Sequence, residues 1–262
     1  MFLHTFHPQA IALTIGEVSV HWYGISIATA VAIGLITTLY TFTKKQVDTT
    51  HVYNLFFLIL FFGLFGGRIG HVIGEWSYYH DHTAELASIW HGGLAIHGVL
   101  AGALVAVWIY ARVKRLSFWL LTDLMVVALP VMQAVGRWGN YFNQELYGRP
   151  TSSGWGIPID PAFREPGYES YAFFHPLFLY ESGLMLMVFG LMAWLFFKAK
   201  IRPGALTAIY FVLFSIVRFM LDYIRLHKPM LGVLSETQWL SLVIFFLAVF
   251  GLWRLYRQPT TA

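Results

Sequence analysis

Long apolar runs separated by short polar connections make up most of this chain. A run of about 20 apolar residues is long enough to cross a bilayer as a helix. Seven such runs lie at about 21–43, 51–74, 95–112, 117–136, 175–197, 204–226 and 234–253. The third is short, and Gly92 and Gly93 before it predict a partly unwound entrance. The pattern therefore predicts an all-α integral membrane protein with seven transmembrane helices.

The connections include one long segment, at about 137–174. Connections of this length are usually functional or disordered. Five aromatic residues favour an ordered head on the membrane surface: Trp155, Tyr168, Tyr171, Phe173 and Phe174. No soluble domain interrupts the pattern, and residues 1–20 lack the basic start and continuous apolar core of a cleavable signal peptide. We therefore expect one membrane domain over residues 1–262.

Composition agrees with this pattern and excludes several classes of protein. Hydrophobic residues make up 58% of the chain and charged residues only 11%, whereas about 25% are charged in a typical soluble domain. So few charges cannot cover a soluble globule of 262 residues, which excludes a cytosolic enzyme, a nucleic-acid-binding protein and a disordered chain. Because the chain has no cysteine, disulfides, thiolate metal sites and a cysteine nucleophile of its own are also excluded.

The placement of lysine and arginine predicts the orientation, because cytoplasmic loops carry an excess of both. The connections after the odd-numbered runs contain Lys44, Lys45, Arg112, Lys114, Arg115, Lys198, Lys200, Arg202, Arg254 and Arg257. The opposite connections contain only Arg149, Arg164 and Lys228. We therefore expect the N-terminus outside and the C-terminus inside.

Glycines recur every four residues in two of the runs. Gly66, Gly70 and Gly74 lie in the second run, and Gly98 and Gly102 lie in the third. Small residues at this spacing allow the backbones of membrane helices to approach closely. We expect these glycines to serve packing.

Polar residues inside the runs converge on one depth. Such residues are costly in a membrane and usually mark a functional site. With the orientation above, the outer ends of the runs hold Tyr23, Arg68, His97, Arg137, His175, Glu181, Arg218 and Asp222. If charged residues were scattered at random, comparable residues would also lie near the inner ends of the runs. Only Asp123 is a clear case there. A polar site in the outer leaflet is therefore predicted.

Several of these residues also have purely structural explanations. Arg68 is long enough to snorkel to the outer head groups. Arg218 and Asp222 lie four residues apart on one helix and can pair with each other. Tyr23 follows Trp22, as in an ordinary interfacial aromatic belt. These alternatives stay open at this point.

The outer connection after the second run contains a group of potential metal ligands, His80, Asp81, His82 and His91. None of their spacings matches a known helical metal-binding motif. We therefore predict no metal site.

Three arginines at one depth need anions. The planar guanidinium group suits phosphate, and the nearest abundant phosphate in a membrane belongs to lipid head groups. Arg68, Arg137 and Arg218 therefore predict a cavity that admits an anionic phospholipid. His97 is the candidate proton carrier, because an imidazole side chain can both accept and donate a proton.

A polar segment at 136–149 follows the fourth run. It reads G-R-W-G-N-Y-F-N-Q-E-L-Y-G-R and is too polar to face lipid. This segment resembles the signature of the bacterial phosphatidylglycerol–prolipoprotein diacylglyceryl transferases, G-R-x-x-N-F-x-N-x-E-x-x-G. Every fixed position matches except that Tyr141 stands where the family has phenylalanine.

The resemblance extends over the whole chain. Further matching stretches are H-W-Y-G at 21–24, G-R-I-G at 67–70, W-H-G-G-L-A-I-H-G at 90–98, H-P with L-Y-E at 175–181, Arg218 with Asp222, and L-S with Gln238 from residue 234. Two positions depart from the family pattern, because His21 replaces arginine and Ile96 replaces phenylalanine. Seven spans with the N-terminus outside is also the family's architecture.

This resemblance implies a reaction. The diacylglyceryl group of phosphatidylglycerol is transferred to the lipobox cysteine of a prolipoprotein signal peptide, and glycerol phosphate is released. No metal or organic cofactor and no nucleic acid is implied. The implied location is the bacterial cytoplasmic (inner) membrane, in which a multi-pass chain has its active site facing the outer leaflet.

The resemblance also implies roles for the residues. We expect Arg137 and Arg218 to bind the phosphate and stabilise its developing charge, with Arg68 as a further substrate-binding residue. His97 is the candidate base for the thiol, although positioning of the lipid is an alternative role. Tyr23 corresponds to an essential tyrosine of the family.

Other residues of the motif are expected to bind substrate or to support the site. Asn140 and Gly148 correspond to essential positions that we assign to substrate binding. Asn143 and Glu145 are expected to hold the loop by hydrogen bonds. Supporting roles are also expected for Asp222, which would orient Arg218, and for Glu181.

Three other classes of membrane protein are alternatives. A retinal pump needs a lysine in its last helix, and 234–253 contains none. A rhomboid-like protease is disfavoured because Ile27 replaces the glycine that usually follows G-x-S. A lipid or solute transporter with an anionic-lipid site is the most credible alternative, but it would place charge near the midplane between internal repeats.

Overall fold

The apolar runs fold as helices in the computed structural model, which describes residues 2–89, 92–226 and 228–257. Among these residues, six helices are long and apolar enough to cross a membrane. With all α-helices numbered in chain order, they are α2 (Trp22–Lys44), α3 (Thr50–Gly74), α5 (Ile96–Lys114), α8 (Leu177–Lys198), α9 (Ala205–Asp222) and α10 (Glu236–Arg257). Each begins within two residues of its predicted start. The chain is mostly helical, as predicted.

The remaining predicted span is a bent pair of helices. Helix α6 (Phe118–Val126) and helix α7 (Leu129–Phe142) meet at 46°, and they make a seventh span if counted together. The bend lies just before Pro130, in the first turn of α7, where a proline has no N–H to continue the preceding helix. The fourth predicted span, at about 117–136, is therefore broken into two helices and not one continuous helix. The helix also continues past 136, so Arg137 lies inside α7 and not in the head loop.

Helix α9 ends earlier than predicted, at Asp222 and not near 226. The residues that follow it pair with the head loop. The Arg149 amide donates to the Ile224 carbonyl at 2.9 Å, and Gly148 forms a bridge with Arg225. The backbone groups beyond Asp222 are therefore used outside the helix.

The pattern of long runs did not predict the short elements. Helices α1 (Phe2–Thr5) and α4 (Trp76–Tyr79) are single turns. Three small antiparallel sheets in the described residues pair β1 (Ile11–Ile15) with β2 (Val18–His21), β3 (Ile157–Pro158) with β4 (Phe173–Phe174), and β5 (Met230–Leu231) with β6 (Leu234–Ser235). The second strand of each sheet comes shortly before a membrane-crossing helix.

The described residues form two compact units, which we call the small unit (38–125) and the large unit (1–37 with 126–262). The small unit is built on the packing of α3 against α5. A Cβ on Gly66 would lie 2.3 Å from the Gly98 carbonyl oxygen, and one on Gly102 would lie 2.0 Å from that of Phe62. The predicted packing role is therefore confirmed for Gly66, Gly70, Gly98 and Gly102. It is not seen for Gly74, where a Cβ would meet no other described residue within 4 Å.

The large unit carries an ordered head above its helices. The core of this head contains Tyr141, Tyr147, Ile157, Ile159, Phe174 and Phe178, with Leu3 and Phe6 of α1 packed against it. The ring of Trp22, which begins α2, stacks on Phe142 at the end of α7, with ring centroids 4.9 Å apart. The start of α2 and the end of α7 therefore lie on the same side of this unit, beside the head.

Candidate active site

Two arginines and one glutamate from three helices meet in the large unit. Arg137 Nη2 of α7 lies 2.8 Å from Glu181 Oε1, and Arg218 Nη1 of α9 lies 3.2 Å from Glu181 Oε2. Glu181, on α8, is only 3% exposed. Two guanidinium groups share one buried carboxylate, so the three side chains together carry one net positive charge.

This arrangement holds the two arginines while leaving part of each accessible. The side chains of Arg137 and Arg218 remain 25% and 21% exposed. A guanidinium group has five N–H donors, of which a carboxylate takes one or two. The remaining donors suit a second anion, and a phosphate group offers the matching oxygens.

The polar residues of the 136–149 motif form a chain of hydrogen bonds that begins at Arg137. Arg137 Nη1 donates to Asn140 Oδ1 at 3.1 Å, and Asn140 Nδ2 donates to Glu145 Oε1 at 2.7 Å. Asn143 Nδ2 donates to the same oxygen at 3.4 Å. The Glu145 amide also donates to the Asn140 carbonyl, which turns the chain back over the end of α7. These are the bonds expected of residues that hold the loop, and they also fix Arg137.

Gln144 is a motif residue that sequence reasoning missed. It is 5% exposed and joins two distant segments to the motif. Its Nε2 donates to Asp160 Oδ2 at 2.7 Å and to the Pro8 carbonyl at 3.1 Å, and its Oε1 accepts from the Asp160 amide. Hydrogen bonds from Gln144 and from His7 hold the pKa of Asp160 below its ordinary value. The only signal in the sequence was its position between two motif residues.

Asp222 does not orient Arg218 in the way the sequence spacing indicated. Ser235 Oγ donates to Asp222 Oδ2 at 2.5 Å, and Lys228 Nζ lies 3.8 Å from the same oxygen. Ser235 caps α10, because its Oγ accepts from the Gln238 amide at 3.1 Å. The expected pair of Arg218 with Asp222 is therefore not formed. Arg218 binds Glu181 instead, and Asp222 supports the start of α10.

Gly148 lies where three backbone segments approach one another. Its amide donates to the His175 carbonyl at 2.9 Å. A Cβ at this position would lie 2.9 Å from His175 Cβ and 3.1 Å from the Ile224 carbonyl oxygen. Close packing alone thus requires glycine here, in addition to any contact with substrate.

Tyr23 lies against α7, where its ring faces Gly139. A Cβ on Gly139 would be 2.8 Å from Tyr23 Cδ2, so this glycine makes room for the ring. Tyr23 is 39% exposed. The predicted catalytic tyrosine is therefore placed two residues along α7 from Arg137.

Arg225 is a further cation that the sequence analysis did not single out. It is half-buried, three residues beyond the end of α9. Burial lowers its pKa, and the positive charges of Arg218 and Arg137 act in the same direction. Arg225 therefore belongs to the same charged neighbourhood, to which its bridge with Gly148 holds it.

Arg68, in the small unit, has a different environment. Its Nε donates to the Leu86 carbonyl at 2.7 Å, and Nη2 donates to that of Glu85 at 2.5 Å. Nη1 donates to the carbonyls of Gly92 and Gly93, at 3.1 and 3.4 Å. The residue is 7% exposed, so it does not snorkel. Most of its donors are occupied by the loop, which leaves little capacity for the predicted phosphate.

His97 lies in the first turn of α5, also in the small unit, and is exposed. The chain before it is not helical over 92–95, as the glycines predicted. Gly92 and Gly93 have φ of +89° and +79°, a backbone conformation that favours glycine. The loop bound by Arg68 thus leads directly into the turn that carries His97.

The residues considered for a metal site are engaged in other contacts. His80 Nδ1 lies 2.9 Å from Asp81 Oδ1, and the His82 ring stacks on Tyr78. His91 lies outside the described residues. Within the part of the chain that the structure describes, no group of three or more possible metal ligands comes together.

Comparison with known proteins decides the family. The family model described as prolipoprotein diacylglyceryl transferase matches residues 10–254. The chain belongs to the prolipoprotein diacylglyceryl transferase family. That match spans every membrane-crossing helix, from α2 nearly to the end of α10.

Curated relatives agree over most of their length. A phosphatidylglycerol–prolipoprotein diacylglyceryl transferase of Acaryochloris marina is 38% identical over 243 residues, which are 92% of this chain and 89% of the relative. Proteins of the same name are 39% identical in Trichormus variabilis (97% and 92% covered) and 37% identical in Fervidobacterium nodosum (89% and 80% covered). The resemblance inferred from the motif is therefore confirmed.

Membership in this transferase family also gives the geometry a chemical context. Two arginines on a buried glutamate, a tyrosine and a chain of amides lie within one unit, on the side of the head. This arrangement can bind a phosphate ester and stabilise charge that develops on its oxygens. Such a site suits a transferase whose leaving group is a phosphate.

Proposed function

We propose that this chain is a phosphatidylglycerol–prolipoprotein diacylglyceryl transferase. In detail, it transfers the diacylglyceryl group to the lipobox cysteine of a prolipoprotein, in the first step of bacterial lipoprotein maturation. The observation that carries the proposal is the pair Arg137 and Arg218 on the buried carboxylate of Glu181. Family membership supports the reaction, and it disfavours the transporter alternative.

The proposed chemistry is a substitution at carbon. The cysteine sulfur attacks the glyceryl carbon that carries the phosphate, and a C–S bond forms as the C–O bond breaks. The electron pair of that bond stays on the phosphate oxygen, so glycerol phosphate leaves with an additional negative charge. The thiol proton passes to a base, because the thiolate is the reactive nucleophile.

Arg137 and Arg218 are proposed to bind the phosphate and to stabilise the charge on the leaving group. Their guanidinium groups are held by Glu181 before substrate arrives, and such preorganisation is what makes electrostatic stabilisation effective. Asn140 and Glu145 fix Arg137 from the other side. Phosphatidylglycerol is anionic, so the positive charge left on this group favours the donor.

His97 is the proposed base, and Tyr23, which packs against Gly139 of α7, is a proposed catalytic residue. Arg68 is proposed to act indirectly, since it binds the loop that precedes the first turn of α5. We place the active site toward the outer leaflet of the bacterial cytoplasmic membrane, where exported prolipoproteins present their signal peptides.

The experiment is incubation of the purified protein with phosphatidylglycerol and a peptide that contains a lipobox, followed by mass spectrometry. We expect the peptide mass to increase by one diacylglyceryl group, with release of glycerol phosphate. A peptide whose cysteine is replaced by serine is the matched control and should stay unmodified. Equal labelling of the serine peptide would contradict transfer to a thiol.

A further inference from the structure

The hairpin before the first membrane-crossing helix has one apolar face and one polar face. In β1 and β2, Leu13 pairs with Val20, Thr14 with Ser19, and Ile15 with Val18. Residues directly opposite each other in an antiparallel pair point to the same face, and neighbours along a strand alternate. The two leucine–valine and isoleucine–valine pairs therefore form one face, and the threonine–serine pair forms the other.

Much of the apolar face is exposed among the residues that the structure describes. Ile15 and Val18, next to the tip, are 68% and 66% exposed, and Leu13 is 47% exposed. An exposed contiguous apolar surface usually marks a site of interaction with a protein or a membrane. The face therefore requires a partner.

The base of the hairpin is firmly attached to the head. Gln144 Nε2 donates to the Pro8 carbonyl just before β1, at 3.1 Å. The Trp22 amide donates to the Ala10 carbonyl at 2.9 Å, and the Trp22 ring stacks on Phe142. Contacts at the base of the hairpin therefore fix the position of the apolar face, and the side chains of that face are not needed for it.

The hairpin continues directly into α2, with no linker, because β2 ends at His21 and the helix begins at Trp22. The first turns of α2 present Trp22, Tyr23 and Ile27 at 37 to 41% exposure. Aromatic residues at the end of a membrane-crossing helix lie at the interface between lipid and water. The exposed face of the hairpin adjoins a surface that lipid already covers.

We propose that the apolar face of the β1–β2 hairpin inserts among the lipids of the leaflet at which α2 begins. The depth is limited to the boundary between head groups and acyl chains, because a two-stranded hairpin has unpaired backbone groups at its edges and these cannot enter hydrocarbon. Thr14, Ser19 and the tip residue Glu17 then face the head groups and water. This proposal does not depend on the transferase reaction.

A second hairpin of the large unit also exposes apolar side chains. It joins α9 to α10, and its Met230, Leu231 and Val233 are 55, 61 and 85% exposed. Trp239 Nε1 donates to the Leu231 carbonyl and so attaches this hairpin to α10. Its second strand also leads into a membrane-crossing helix without a linker. Insertion of short apolar hairpins thus explains two independent exposed surfaces.

The absence of cysteine in the chain makes the test direct. Single variants Ile15→Cys and Val18→Cys on the apolar face, and Thr14→Cys and Ser19→Cys on the polar face, are labelled with an environment-sensitive fluorophore. The full-length protein is reconstituted in vesicles of phosphatidylglycerol and phosphatidylcholine. Quenching is then measured with lipids brominated at defined acyl carbons and with aqueous iodide.

We expect the labels at 15 and 18 to be quenched by lipids brominated near the top of the acyl chain and to be protected from iodide. The labels at 14 and 19 should show the reverse. Equal quenching by iodide at all four positions would overturn the proposal, because the face would then lie in water. Protection of 15 and 18 from both quenchers would also overturn it, since a protein and not lipid would then cover the face.

Discussion

Arg68 and the pair Arg137 and Arg218 are the same type of residue in two different environments. Arg68 and Arg218 lie within apolar runs and Arg137 follows one directly, and the sequence predicts one depth and one anion site for all three. Arg68 donates to the carbonyl oxygens of its own unit's loop. The other two share the carboxylate of Glu181 and remain partly exposed.

The acceptor, and not the predicted depth, therefore separates Arg68 from the two arginines that we propose bind phosphate. Neutral carbonyl oxygens in a loop occupy a guanidinium group and order the loop. A shared carboxylate occupies each of two guanidinium groups only in part and leaves net positive charge. Each prediction below changes one side of this comparison.

The largest effect is expected for Arg137→Lys and Arg218→Lys. A lysine keeps the charge but loses the planar donor geometry. Loss of one preorganised donor typically lowers a rate by ~10²–10³, and we expect a fall of this size in the initial rate of peptide lipidation. Thermal unfolding in detergent, measured alongside, should change little. Near wild-type rates in both variants would remove phosphate binding by these arginines from the mechanism.

Glu181→Gln should have the next largest effect. The amide keeps the shape of the side chain but no longer attracts two cations. Hydrogen bonds to charged groups contribute about 1.5–3 kcal/mol, which corresponds to a roughly tenfold to hundredfold loss of kcat/KM. Without the negative charge of Glu181, the two guanidinium groups repel each other. We therefore expect the loss of kcat/KM to grow at low ionic strength. A loss that does not respond to salt would argue that Glu181 acts only by packing.

Arg68→Lys should affect stability more than rate. A lysine cannot reach carbonyls on both sides of the loop, and a buried acceptor left without a donor costs about 1–3 kcal/mol. We therefore expect a lower unfolding temperature and a rate per folded molecule within a few-fold of wild type. A hundredfold slower reaction with unchanged unfolding would instead return Arg68 to the phosphate site.

The smallest effect is expected from a pair of glycine variants in α7. In Gly139→Ala the new Cβ meets the Tyr23 ring at 2.8 Å, whereas in Gly136→Ala it meets only Ile27 Cδ1, at 3.8 Å. We expect Gly139→Ala to lower the lipidation rate several-fold through displacement of Tyr23, and Gly136→Ala to stay near wild type. Equal rates in the two variants would show that the position of Tyr23 against α7 is unimportant.

Much of the fold followed from the sequence because lipid imposes one strong rule. Apolar length predicts a helix, and the starts of the six long helices are all close to prediction. The same rule failed around α7, because the apolar run ends before the charged Arg137 whereas the helix continues to Phe142. It also gave no sign of the bend before Pro130, and strands as short as β1 and β2 are too brief to stand out beside long apolar runs.

The site was predicted in part. The motif from 136 to 149 identified Arg137, Asn140 and Glu145, because their spacing is specific. The partner of Arg218 could not be predicted, since spacing along one helix favoured Asp222 and the actual partner lies on another helix. Contacts between distant segments, such as Gln144 with Pro8 and Asp160, leave no periodic signal in a single sequence.

The contact between α3 and α5 has a consequence for traffic through the membrane. At Gly66, Gly98 and Gly102 the two backbones touch with no side chain between them. An acyl chain cannot pass between two helices in such close contact. Sliding one helix along the other would also bring carbonyl oxygens into collision with the opposing backbone. These two helices therefore behave as a single stiff wall, and every route by which a lipid enters or a lipidated peptide leaves must go around that wall.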